Sequence, residues 1–117
     1  MDNNKTKKEL QAKYKERKII GGVYVIKNTH NGKLLLGAVT NLQGSKNRFE
    51  FAQAQNSGSC VSMKLYADWK AHGKDKFVYE VLEELEKGEL QTAAEFEADI
   101  DFLKKIWLEK LSDKDFY

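Results

Sequence analysis

Apolar positions are sparse over the first eighteen residues and then recur with two distinct periods. Residues 4–17 carry Leu10 and Tyr14, four apart, as their only large apolar side chains, which predicts a polar helix with a thin apolar stripe. Ile19–Asn28 gathers Ile20, Val23, Val25 and Ile26, the β-branched content of a strand. Asn31-Gly32 follows, two residues that tolerate positive φ and so favour a tight hairpin. Lys33–Val39 returns as the second strand. Its Leu34, Leu35 and Leu36 are apolar on both faces, which predicts a central strand covered on both sides.

Beyond a turn at Asn41–Gly44 the period lengthens. Ser45–Gln55 reads as a helix anchored by Phe49 and Ala52. Ser59 is placed to cap a helix bearing Val61, Leu65 and Trp69 at i, i+4 and i+8, with Gly73 to end it. Lys76–Leu85 alternates as a third strand. Thr92-Ala93-Ala94-Glu95 has the form of a capping box, and the helix it opens presents Phe96, Ile100, Leu103, Trp107 and Leu111 along one stripe. The expected order is α-β-β-α-α-β-α. The layer rules make this an α+β fold, a three-stranded mixed sheet with a β-hairpin, flanked by helices. Residues 1–18 form a basic helical arm and residues 19–117 a single domain.

Composition adds exclusions. A chain of 117 residues supports one modest core. No apolar run approaches the ~18 residues of a membrane span, and the polar N-terminus has no secretory h-region. Cys60 is the sole cysteine, so neither an intramolecular disulfide nor a multi-cysteine zinc site can form. Together these point to a cytoplasmic protein. Proline is absent, leaving the turns to Gly, Asn, Asp and Ser.

Net charge +2 conceals an asymmetry. Residues 1–18 hold seven Lys/Arg against three acids, residues 19–78 eight against three, and residues 79–117 five against twelve. A basic front and an acidic back suit either a polyanion-facing surface, DNA or RNA, or charged helix faces that merely segregate.

Gly22-Val23-Tyr24, then a ten-residue gap and Leu35-Leu36-Gly37, resembles the paired signature of the GIY-YIG nuclease family. The surrounding hairpin, the stretch Met63–Trp69 with His72-Gly73 and Phe77, and Trp107–Leu111 are similar to family elements in the same order. The resemblance implies a divalent-metal-dependent endonuclease fold, with tyrosines and an arginine around the scissile phosphate and a glutamate on the last helix. Tyr24 matches the first tyrosine. Leu35 falls at the second and has no phenol. Ser45 stands where the arginine commonly lies, whereas Arg48 matches its place in small members with an inserted glycine, here Gly44. Lys104, three residues before Trp107, occupies the place of the metal-binding glutamate.

That last exchange disfavours catalysis. Two like charges ~4 Å apart repel by about 4 kcal/mol at an effective dielectric of about 20. Three readings follow. One is a catalytically impaired nuclease-like domain whose Arg48, Lys104 and Lys46, with Tyr24, hold a DNA or RNA backbone without metal. A second is an active endonuclease using Mg²⁺ or Mn²⁺, with Asp101 as substitute carboxylate, since Asp101 and Glu97 share a helix face with Lys104; a surface pair of Asp101 with Lys104 or Lys105 is the competing role. A third is a protein-interaction module.

Overall fold

The computed structural model describes residues 18–57 and 61–117. The helix expected over residues 4–17 and the cap expected at Ser59 lie outside them. Ile20–Asn28 forms β1, Leu34–Val39 β2 and Phe77–Glu86 β3, in the spatial order β2-β1-β3. Both pairings are antiparallel, so the sheet is not mixed as expected. The hairpin forms at the expected place but through a wider turn than a two-residue Asn-Gly one. The loop spans residues 29–32, Gly32 but not Asn31 takes positive φ (76°), and the Gly32 amide donates to Asn28 O.

The central strand is β1, not β2. All but three of β1's nine residues are buried, from Gly21 to Asn28. The leucines of β2 are apolar on both faces because both faces are covered, one by the main core and the other by the helix Ala93–Lys110. Leu35 packs with the core on one side of the sheet, and the chain end runs along the outer edge of β2. There Leu34 N donates to Asp115 O and Tyr117 N to Leu34 O, both at 2.9 Å, satisfying edge groups that would otherwise face solvent.

Successive glycines of β1 show how the layers stack. A Cβ on Gly21 would meet Ile100, whereas one on Gly22 would meet Leu42. Neighbouring strand residues face opposite sides, so the helix carrying Leu42 and the helix carrying Ile100 cover opposite faces of the sheet. Leu42–Gln55 is α1 and Ala93–Lys110 is α3. The α1 face holds the main core of Ile26, Phe49, Ala52, Leu65, Trp69 and Phe77. On the other face Phe96 and Ile100 are buried, while Leu103, Trp107 and Leu111 are half-buried.

Helix α1 starts three residues earlier than expected because Asn41 caps it. The Asn41 Oδ1 accepts from Gly44 N at 3.0 Å. A Cβ on Gly44 would press on the Asn41 amide, so the glycine leaves room for that cap. The next helix begins later than expected. Val61 precedes it, Ser62 caps a 3-10 turn over Met63–Leu65, and α2 runs Tyr66–His72. Gly73, at φ 92°, takes the chain out of α2. The capping box on α3 is complete, with Thr92 Oγ1 accepting from Glu95 N and Glu95 Oε1 accepting from Thr92 N.

A polar latch ties the hairpin, α2 and the chain end together. Tyr117 Oη donates to Asp68 Oδ2 at 2.7 Å and accepts from Asn28 Nδ2 at 2.9 Å. Asn28 is fully buried, and its Oδ1 accepts from His30 N. His30 in turn stacks on His72, with ring centroids 4.1 Å apart. The Tyr117 hydroxyl, helped by the Asn31 amide and by the nearby His72 and Lys33, holds the Asp68 carboxyl below its usual range against the opposing pull of burial.

Candidate functional site

Helix α1 leaves the end of β2 through Thr40 and Asn41, and α3 crosses the opposite side of that strand end. Between them opens a cavity of about 430 Å³. Ser45 and Arg48 line it from α1, one turn apart, and Glu97 and Asp101 line it from α3 at a spacing of four. Ile100, nearly fully buried, also lines it. A guanidinium and a hydroxyl thus share a cavity with two carboxylates. Counting side chains alone, the lining carries one positive and two negative charges.

Of the residues expected at a working site, this cavity brings together Arg48, Ser45 and Asp101. Lys104, exposed and one turn beyond Asp101, is not among the lining residues. Lys46 opens elsewhere, into a hollow of about 380 Å³ that it shares with Phe49, Gln53 and Tyr79. Leu35 packs against the core, as its side chain requires.

Tyr24 is half-buried within an aromatic cluster. Its ring lies across Gly37, where even a Cβ would collide with it. The other side of that ring stacks on Tyr79, with centroids 4.8 Å apart and planes 18° apart. Tyr79 also meets Phe49, which packs edge-on to Trp69. Tyr24 does not line the Arg48 cavity.

Tyr79 and Glu97 are the two residues of this region to which the sequence assigns no role. The Tyr79 hydroxyl is buried and has no hydrogen-bond partner among the described residues. Burial pushes its pKa up. The Ser45 hydroxyl, close by but short of a well-formed bond, offsets part of that rise, and Tyr24 adds to it. Glu97 was legible only as a member of the Asp101 helix face. Among the described residues no cluster of three or more His, Cys, Asp or Glu side chains is placed to hold a metal unaided. Asp101, Glu97 and Ser45 are nonetheless hard oxygen donors, the type that Mg²⁺ and Mn²⁺ take together with waters and phosphate oxygens.

A β-hairpin, a third antiparallel strand on its far side and helices on both faces, with a Tyr-Gly pair crossing the hairpin, make this a GIY-YIG endonuclease-like domain. Two solved structures carry the likeness. One is the catalytic domain of the homing endonuclease I-TevI, matched with a TM-score of 0.56 and 25% identity over 79% of this chain and 88% of that chain. The other is a mutant of the catalytic domain of the intron endonuclease I-TevI, with a TM-score of 0.55 and 25% identity over 80% and 86%. No protein-family model matches the chain, and no curated protein matches it. Among the described residues, no helix is long and apolar enough to cross a membrane.

Proposed function

We propose that the domain binds the phosphate backbone of DNA in the cavity between α1 and α3 and hydrolyses it poorly. The observation that carries this reading is the placement of Arg48 and Ser45 on the wall of that cavity. A guanidinium offers paired N–H donors to a phosphate, and such charge-assisted bonds are the strong ones. RNA presents the same backbone and is a comparison ligand.

Glu97 and Asp101 complicate the electrostatics. Two carboxylates on the far wall repel a phosphate more than one guanidinium attracts it, at comparable distances. Asp101 and Glu97 would hold a divalent cation through their carboxylate oxygens, and such an ion would offset that imbalance and supply charge stabilisation to a phosphate oxygen. Binding is therefore expected to need Mg²⁺ or Mn²⁺ as well as Arg48. This differs from a metal-free cleft built on Lys104, which lies outside the lining. Slow hydrolysis follows from the side chains themselves. Leu35 has no proton to move, and Tyr24 stacks against Tyr79 away from the Arg48 cavity.

Fluorescence anisotropy with a labelled DNA duplex tests the reading. Arg48→Ala should weaken binding by about tenfold or more, the worth of a charged hydrogen bond. Chelation by EDTA should weaken the native protein but have little further effect on Asp101→Asn. Affinity that ignores both Arg48 and salt would sink the proposal.

A second reading, active cleavage, draws on one specific feature: Asp101, unlike Lys104, does line the cavity with Arg48. Plasmid nicking that requires Mn²⁺ and vanishes in both Asp101→Asn and Arg48→Ala would establish it over slow hydrolysis.

A further inference from the structure

One feature of the site serves neither packing nor the fold. The Tyr79 hydroxyl is buried, yet it makes no hydrogen bond among the described residues. A phenylalanine would place the same ring against Tyr24 and Phe49 without stripping water from a polar group. Buried polar groups are nearly always bonded, and an unpaired one calls for a ligand, a water or a partner that moves. Two observations narrow the choice. The side-chain hydroxyl that acts on it is that of Ser45, without a completed hydrogen bond, and Ser45 itself lines the Arg48 cavity. Tyr79 itself lines the neighbouring hollow and not this cavity, so it can reach the site only through that serine hydroxyl. The other titratable group that acts on its proton is Tyr24, also a phenol, while the charged groups of the neighbouring hollow, Lys46, Glu50 and Asp75, are not among the causes of its shift.

We infer that Tyr79 is a positioning residue for an oxyanion in the cavity: its hydroxyl donates to Ser45 Oγ, which turns the Ser45 proton onto a phosphate oxygen held by Arg48. The hydroxyl rotors suit the task. Serine donates one proton while accepting another, and the chain Tyr79 to Ser45 to phosphate runs in one direction only, because the phosphate has nothing to donate back. Burial keeps the phenol in its protonated, donating form. Donation also strengthens the serine as a donor, since linked hydrogen bonds polarise one another. The bond is unmade in the empty protein and made when the ligand arrives, so the cost of the lone hydroxyl is recovered on binding. This rests on the phosphate reading of the cavity.

The test pairs affinity with melting temperature in Tyr79→Phe, Ser45→Ala, the double variant and Arg48→Ala. The probe is a labelled DNA duplex in Mg²⁺, read by anisotropy. Tyr79→Phe keeps the ring, so a purely structural tyrosine would leave affinity unchanged. The expected result is a loss of about three- to tenfold in affinity, the range of one hydrogen bond. It should accompany a Tm equal to or above that of the native protein, because the unpaired hydroxyl is gone. Ser45→Ala should match that loss, and the double variant should lose no more than either single change, the mark of one relay. Native affinity in Tyr79→Phe, with Arg48→Ala impaired, overturns the inference and leaves the phosphate reading standing. A lower Tm in Tyr79→Phe also overturns it, since the hydroxyl would then already be bonded in the free protein. Absence of binding in the native protein, or no effect of Arg48→Ala, overturns the phosphate reading and the relay with it.

Discussion

Asp68 and Tyr117 make the residue scale concrete. Their hydrogen bond joins positions 49 apart in the chain, and each shifts the other in an opposite sense. The Asp68 carboxyl sits below its ordinary value, chiefly through the Tyr117 hydroxyl. Its folded pKa is thus lower than its unfolded one, near about 3.9. As pH falls the unfolded chain takes up this proton first, so the stabilisation is complete above the unfolded value and disappears as pH drops through the folded one. Tyr117 has the reverse sign. Burial, the largest cause, raises its phenol, with Asp68 adding to the rise and Asn28 opposing it. Its contribution is present below the ordinary tyrosine value, near about 10, and is lost as pH climbs through the raised one. Thermal melts of native protein and Asp68→Asn should therefore differ most near neutrality. The gap should close only as pH falls below the ordinary carboxylate value and on through the lowered folded one, where the native carboxyl is protonated as well. A gap that persists unchanged into acid would assign the latch to packing alone. None of this latch was legible in the sequence. Only the fold brings Asp68 and Tyr117 within 2.7 Å.

Elements were legible where one local signal dominates. Asn31-Gly32 marks the reversal through the positive φ that Gly32 supplies, and the strands pair on either side of it, although the loop is longer than the pair alone. Thr92 and Glu95 form the expected reciprocal cap because their side chains need only each other's backbone. Thr92→Ala should cost about 1 kcal/mol, within the 0.5–2 found for lost caps. Urea unfolding should show this as a lower midpoint at an unchanged slope. An effect confined to a few tenths of a kcal/mol would mean that Ile100 and Phe96 hold the helix without help. Signals that depend on another part of the chain were misjudged. Leu34, Leu35 and Leu36 read as a central strand covered on both sides. Both faces are covered, by the main core and by α3, but the strand is an edge one whose outer side pairs only with the docked chain end. Ser45 reads as a helix start, yet Asn41 outcompetes it because Gly44 lets the asparagine fold back over the first turn.

Across the whole molecule, the scaffold and the chemistry separate. The hairpin, the sheet and the covering helices resemble a nuclease catalytic domain over about four-fifths of the chain. Candidate chemistry, by contrast, is assembled from α1 and α3, whose contributions to one cavity lie some fifty residues apart. Arg48 and Asp101 were readable one by one as candidates; that they share a cavity while Lys104 and Lys46 do not depends on helix rotation, which no local pattern encodes. Tyr79 was hidden for the opposite reason. Its place in an alternating strand explains it fully until the third dimension shows its hydroxyl unpaired.

The strand order β2-β1-β3 has a consequence for how the chain reaches this state. β1 meets β2 across a short turn but meets β3 through pairings that run from Asn28↔Phe77 to Ile20↔Glu86. The hairpin can therefore zip in microseconds, whereas the sheet closes only after a long loop, with α1 and α2 inside it, has been gathered. With no proline in the sequence there is no slow X-Pro isomerisation to divide the population. Refolding from urea by stopped-flow tryptophan fluorescence should accordingly follow a single exponential, limited by the arrival of β3, with no phase on the scale of tens of seconds.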